Sequence, residues 1–455
     1  MIIKLNKIQP FGEQQVKYTE LETQSSTVKV PFRDPSCPNI AVSTRFSKPV
    51  GQTDFGQAHY FFDMKESKRI RISFDLPNDI TRQNSIMDTA AENLPFHFKE
   101  ELWHSFCIGP HTITPIMKNR FLVGQMAFNR FIKLDIEKKT AFIVDPELED
   151  GFLSSTNCVH PVTGDVWFAS WDIKDTICRI SNPEEPVRAK IWRFSPSEGR
   201  TEKMWQGQAG DFLHQLNISS DGRYLVLCEM GLRPVYTMPH GLEKKEEELK
   251  IFTDKGIIPS KILVLDLEHL KDEEGWRLTP PVPTQAHVEF DIANPHRFYA
   301  SCHNMVFDGG PIVLFGPGSI YCYDINPDDG PIERCRYTDD HLFRVTTHYV
   351  FKHQDKILLG VSNFPNSIYL FDTDTTEIYR RLSMFEGEAI DSLPYSCKKE
   401  TKFPYSLCAS DDGKTLYVIG SGQLSRFDVQ TGLPTEEPFT FYKEAEVMMG
   451  HLTAY

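Results

Sequence analysis

None of the ten cysteines in this 455-residue chain lies in a Cys-x-x-Cys pair, so neither a zinc ribbon nor a thioredoxin-type redox centre is encoded. No apolar run reaches the roughly 18 residues that a spanning helix needs, and the first residues lack the apolar core of a signal peptide. An excess of basic charge is also missing. The net charge of −14 argues against non-specific binding to nucleic acid or to an anionic membrane. No GxGxxG opens a helix, and there is no Gly-rich phosphate loop and no GxSxG elbow, so dinucleotide, nucleoside-triphosphate and α/β-hydrolase chemistry have no motif to rest on. Cys228, Cys322 and Cys408 fall inside apolar alternating stretches and read as small buried residues in a reducing compartment, which makes the cytoplasm the expected location.

What the chain does have is a period. Seven times an alternating apolar stretch ends in an acid or a serine and then a turn, at Asp63, Asp135, Ser195, Asp266, Asp324, Asp372 and Asp428. The period of two and the β-branched and aromatic content mark strands. A strand-built repeat of about 50 to 70 residues implies a β-propeller. An earlier landmark recurs with it, an inner strand followed by a turn such as Asp221-Gly222 or Asp412-Gly413 and a second strand. It identifies six blades directly. The seventh lacks an inner strand next to residues 39–63, whereas the chain ends in an unpaired strand pattern carrying His451. The expected fold is all-β, a seven-bladed β-propeller closed by the C-terminal strand pairing with N-terminal strands.

Residues 1–38 read as an N-terminal arm along the ring, and 39–455 as a single propeller. Two long connections interrupt it. Residues 64–103 carry two short helical patterns, and residues 231–260 include a charged helical stretch that reads as a solvated face, with a cap over one face of the ring as the alternative.

The chemistry lies at the start of the inner strands. In blade order those positions hold His451, His111, Ser155, His214, His287, His348 and Tyr405. Inner strands line the channel of a propeller, so their side chains converge near the axis. Imidazoles arranged there offer nitrogen donors in a rigid frame, suited to iron, copper, zinc or manganese. The expected ligands are His214, His287, His348 and His451, with His111 completing the site or acting as acid or base. Glu289 lies two residues after His287 on the same strand face and is placed to accept a ligand N–H. His104 and His303 lie outside this register and read as structural or surface residues. The other histidines, His160 and His353 among them, receive no role.

The Glu-Glu-Leu-Trp-His-Ser segment at 100–105, the long insertion after Cys228-Glu229-Met230 and the C-terminal histidine strand make the chain similar in topology to the selenium-binding protein family and its lactonase-like relatives. That resemblance implies a seven-bladed ring and metal-dependent oxidation of small sulfur compounds. The histidine arrangement, with His214 in Leu-His-Gln-Leu-Asn, Glu149-Asp150-Gly151 and the terminal His451, resembles that of carotenoid oxygenases. It implies four axial histidines on ferrous iron that activates dioxygen. The expected function is therefore a metal-dependent oxidoreductase, with Fe(2+) first and copper next, acting with dioxygen on a small, partly apolar substrate. The alternative is a non-catalytic propeller that binds a protein partner.

Overall fold

The computed structural model describes residues 13–30, 33–34, 36, 38–46, 55–76, 109–126, 130–146, 148, 151–172, 188–208, 215–228, 261–281, 285–302, 305–307, 312–314, 317–342, 344–364, 366–384, 404–420, 422–440 and 447–455. Within them the chain is all-β. Seven antiparallel sheets of four or five strands follow one another around a ring.

From the axis outwards, blade 1 contains Val447–Ala454, Ile40–Phe46, Phe55–Asp63, Lys68–Leu76 and Gln24–Lys29. Blade 2 contains Gly109–Met117, Arg120–Met126, Phe131–Asp135, Thr140–Asp145 and Lys17–Leu21, and blade 3 contains Gly151–Val159, Val166–Asp172, Ala189–Ser195, Arg200–Gln206 and Glu13–Gln15. Blades 4 to 7 start from the inner strands Gln215–Ile218, Gln285–Phe290, Arg344–His353 and Ser406–Ala409. The N-terminal segment thus supplies the outermost strand of three consecutive blades. It covers edges that would otherwise present unpaired N–H and C=O groups.

The apolar core is divided into seven slabs, each shared by two neighbouring blades, and the set closes on itself. This explains strands that are apolar at every position. In Tyr224–Cys228 all five residues are buried, because Tyr224, Val226 and Cys228 face blade 5 while Leu225 and Leu227 face blade 3.

The seven repeated acids or serines end the third strand of each blade or lie near its end, and several hold the turn that follows. Asp428 accepts hydrogen bonds from the Thr431 N–H and hydroxyl, and Asp372 from the Asp374 and Thr375 N–H groups. Asp135, Asp266, Asp324 and Asp372 also pair with Arg120, Arg223, Arg297 and Lys356 on or beside the second strand. Side-chain hydrogen bonding to turn N–H groups accounts for the repeat without a catalytic role.

Two histidines given no role from sequence join adjacent blades. His160 Nε2 donates to the Gly222 carbonyl of blade 4 at 3.1 Å, and His353 Nδ1 to the Gly413 carbonyl of blade 7 at 2.7 Å. Gly413 has φ +66°, and a Cβ there would overlap the Lys352 carbonyl oxygen, so only glycine permits the approach.

Ring closure rests on the C-terminal strand. It pairs Val447 with Phe46, Leu452 with Val42 and Ala454 with Ile40, and Tyr455 packs edge-on against Phe121 and Phe61. Deleting residues 447–455 removes a whole ladder together with buried Leu452. The thermal midpoint is expected to fall by more than about 10 °C, or the cooperative transition to be lost, when followed by circular dichroism. An unchanged midpoint would contradict closure by this strand.

Candidate functional site: an axial histidine cluster set in strand bulges

Alternation alone would send successive residues of an inner strand towards one neighbouring blade and then the other. The inner strands depart from this at three of the histidine positions singled out in the sequence. The pairing register shifts between Pro110 and Ile113 around His111, between Gln285 and Val288 around His287, and between Met449 and Leu452 around His451. A bulge leaves the extra residue out of the ladder and re-aims its side chain.

The same device frees backbone donors, and buried or half-buried polar side chains take them up. The His287 N–H donates to Ser301 Oγ at 3.1 Å, the Val288 N–H to Gln215 Oε1, and the Leu452 N–H to Ser406 Oγ at 3.1 Å. Because an unsatisfied buried N–H costs about 1–3 kcal/mol, these partners fix the bulges in place. Sequence reasoning missed Ser301, Ser406 and Gln215. For Ser301 and Ser406 the one signal is a polar residue in a largely apolar strand.

The bulges bring three imidazoles together. One ring nitrogen each from His111, His287 and His451 lies within 4.8 Å of the others, and His287 Nε2 is 3.4 Å from His451 Nε2. The ring centroids of His111 and His451 are 4.5 Å apart, and Tyr405 meets His451 edge-on at 5.4 Å. His111 and His287 are buried and His451 is half-buried. The three come from blades 2, 5 and 1, so the cluster spans the channel.

Glu289 is one strand repeat further along. Its Oε2 accepts a hydrogen bond from Asn217 Nδ2 of blade 4 at 3.1 Å. Burial pushes its carboxyl up to about 8, against the opposing effect of that hydrogen bond. Burial also raises the nearby Cys158 thiol, with the Glu289 charge adding to it.

His348 is placed differently. It follows the register shift of its own strand, which falls between Val345 and Thr347, and is back in the ladder opposite Val361. Its Nε2 donates to the Tyr299 carbonyl of blade 5 at 3.2 Å, which makes it an inter-blade link, and it does not belong to the three-histidine group. His111, expected as a proton shuttle or substitute ligand, stands in the cluster instead. His214, His104, His303, the helical patterns in 64–103 and the 231–260 insertion lie outside the described residues, as does the Ser155 side chain.

These features define a seven-bladed β-propeller with histidines gathered at its axis. No family model and no curated protein matches the chain. Among solved structures it is similar to Sqt1 of Saccharomyces cerevisiae, at 12% identity and a TM-score of 0.41, over 63% of this chain and 62% of that one. The overlap thus spans less than two thirds of Sqt1, and at that level it carries no functional inference.

Two buried histidines set a pH dependence. Burial lowers His59 to about 3, and lowers His348 to about 4 despite its bond to the Tyr299 carbonyl. Both are neutral when folded and take up a proton on unfolding below about pH 6.5, so their contribution is intact above that pH and is lost as acid is added. At pH 5 each is expected to cost about 2 kcal/mol of stability relative to pH 7. Urea unfolding at the two pH values checks this. His348→Gln should remove about 2 kcal/mol of the loss, and a flat profile in the native protein would contradict it.

Proposed function

We propose that the ring holds a transition metal on His111, His287 and His451, ferrous iron first and copper second, and uses it with dioxygen to oxidise a small, partly apolar substrate. The observation that supports this reading is the convergence of three bulge-borne imidazoles on one level of the axis. His287 Nε2 and His451 Nε2, 3.4 Å apart, are close enough for one ion to be held by both. His111, with a ring nitrogen within 4.8 Å of theirs, would supply the third ligand.

Three protein ligands leave a position open, as in catalytic sites. When bound, iron or copper would supply one-electron chemistry towards dioxygen. The protein's own contribution is to hold the imidazoles in place through their bulges. Glu289, with one oxygen held by Asn217, is the candidate acid–base group.

A second reading, a propeller that binds a protein partner, is favoured by a different observation. The exposed side chains of Met117, Val162, Ile292 and Leu433 all lie in or beside turns on the face where the first and third strands of the blades end.

Metal analysis separates the two. Untagged protein, or protein reconstituted anaerobically with ferrous or cuprous ions, should carry about one equivalent. His287→Ala and His451→Ala should bind at least about tenfold more weakly, whereas His348→Ala should retain the metal and lose only stability. No metal in the native protein after reconstitution would sink the first reading and leave the second.

A further inference from the structure

Blade 5 carries a feature unrelated to the axis. Cys322, on its third strand Ser319–Asn326, and Cys335, on its outermost strand Gly330–Tyr337, are direct cross-strand partners, and both are free thiols. Directly opposite residues in an antiparallel pair have Cα atoms about 4.5–5.5 Å apart, inside the range of about 4.4–6.8 Å that a disulfide spans. The register shifts between Cys322 and Tyr323, so the ladder has slack at the point where a bond would form.

The two sulfurs differ in surroundings. Cys322 is buried in the slab between blades 5 and 6, while Cys335 packs on the same slab from the outer edge and keeps part of its surface accessible. A hydrogen bond from Cys322 lowers Cys335 to about 6, and the Tyr337 hydroxyl, Arg334 and Arg297 act in the same direction. Cys322 is pushed the other way, by donating that bond and by burial. The remaining described cysteines do not combine these properties: Cys228, Cys302 and Cys408 are buried, and the Cys158 thiol is raised.

The geometry points to Cys322 and Cys335 as a reversible dithiol–disulfide pair on the rim of blade 5, with Cys335 as the attacking sulfur and Cys322 as the resolving one. The oxidant is a hydroperoxide. The Cys335 thiolate attacks its terminal oxygen, the O–O bond breaks, the alkoxide or hydroxide leaves and takes a proton, and Cys335 becomes a sulfenic acid. The Cys322 sulfur then attacks Cys335, its proton leaves with the hydroxyl as water, and the S–S bond forms. Two electrons pass from the two sulfurs to one peroxide, and the product ties the two outer strands of the blade together.

The test treats full-length protein with hydrogen peroxide at pH 7 in the presence of a chelator, then alkylates the remaining thiols and maps the peptides by mass spectrometry. The expected result is a Cys322–Cys335 cross-link, with loss of two hydrogens per chain, reversed by dithiothreitol. Cys322→Ser should stop at a sulfenic acid on Cys335 that dimedone captures, and Cys335→Ser should leave Cys322 reduced. The native peptide map decides by itself if either variant folds poorly. A Cys335 that stays a thiol, proceeds to sulfinic acid beside a reduced Cys322, or pairs with another cysteine would overturn the assignment.

Discussion

The pairing of Val447–Ala454 with Ile40–Phe46 is the contact on which the rest depends. It joins the last residues of the chain to the first blade, completes the slab that contains Leu452, and sets the register in which His451 falls inside a bulge. Ring closure and site assembly are thus one event. The third imidazole reaches the axis only when the ring is shut, so a species lacking the terminal strand would hold two histidines across an open channel.

The bulges then decide which histidines meet. Where alternation is regular, as it is after the register shift that precedes His348, side chains enter the slabs between blades and pack or bridge, as His348 does to the Tyr299 carbonyl. An extra residue in the ladder turns the side chain towards the axis and leaves N–H groups that must be satisfied. Ser301, Gln215 and Ser406 satisfy them, and two of the three reach across from a neighbouring blade. The wall of the channel is therefore built cooperatively by pairs of blades, which gives the imidazole cluster a rigid frame.

The ring was legible because its signals are local: alternation, turn residues after the recurring acids, and the mismatch between a missing inner strand near residue 39 and a spare one at the end. The histidine positions on inner strands were legible for the same reason. Their directions were not, since a one-residue register shift has no sequence signature, and His111 and His348 look alike until the pairing is seen. The outer strands given by residues 13–29 were read only as an arm. Gln24–Lys29 is exposed throughout and has no apolar alternation to mark it as a strand. The cross-strand meeting of Cys322 and Cys335 depends on a hairpin with its own shift, and spacing alone does not reveal it.

The most direct measurement is anomalous diffraction from crystals grown with ferrous or cuprous ions, recorded at the metal edge. One strong peak is expected on the axis, at bonding distance from nitrogens of His111, His287 and His451, with His348 still turned to the Tyr299 carbonyl. An empty axis, or a peak whose ligands include His348 in place of His111, would contradict it.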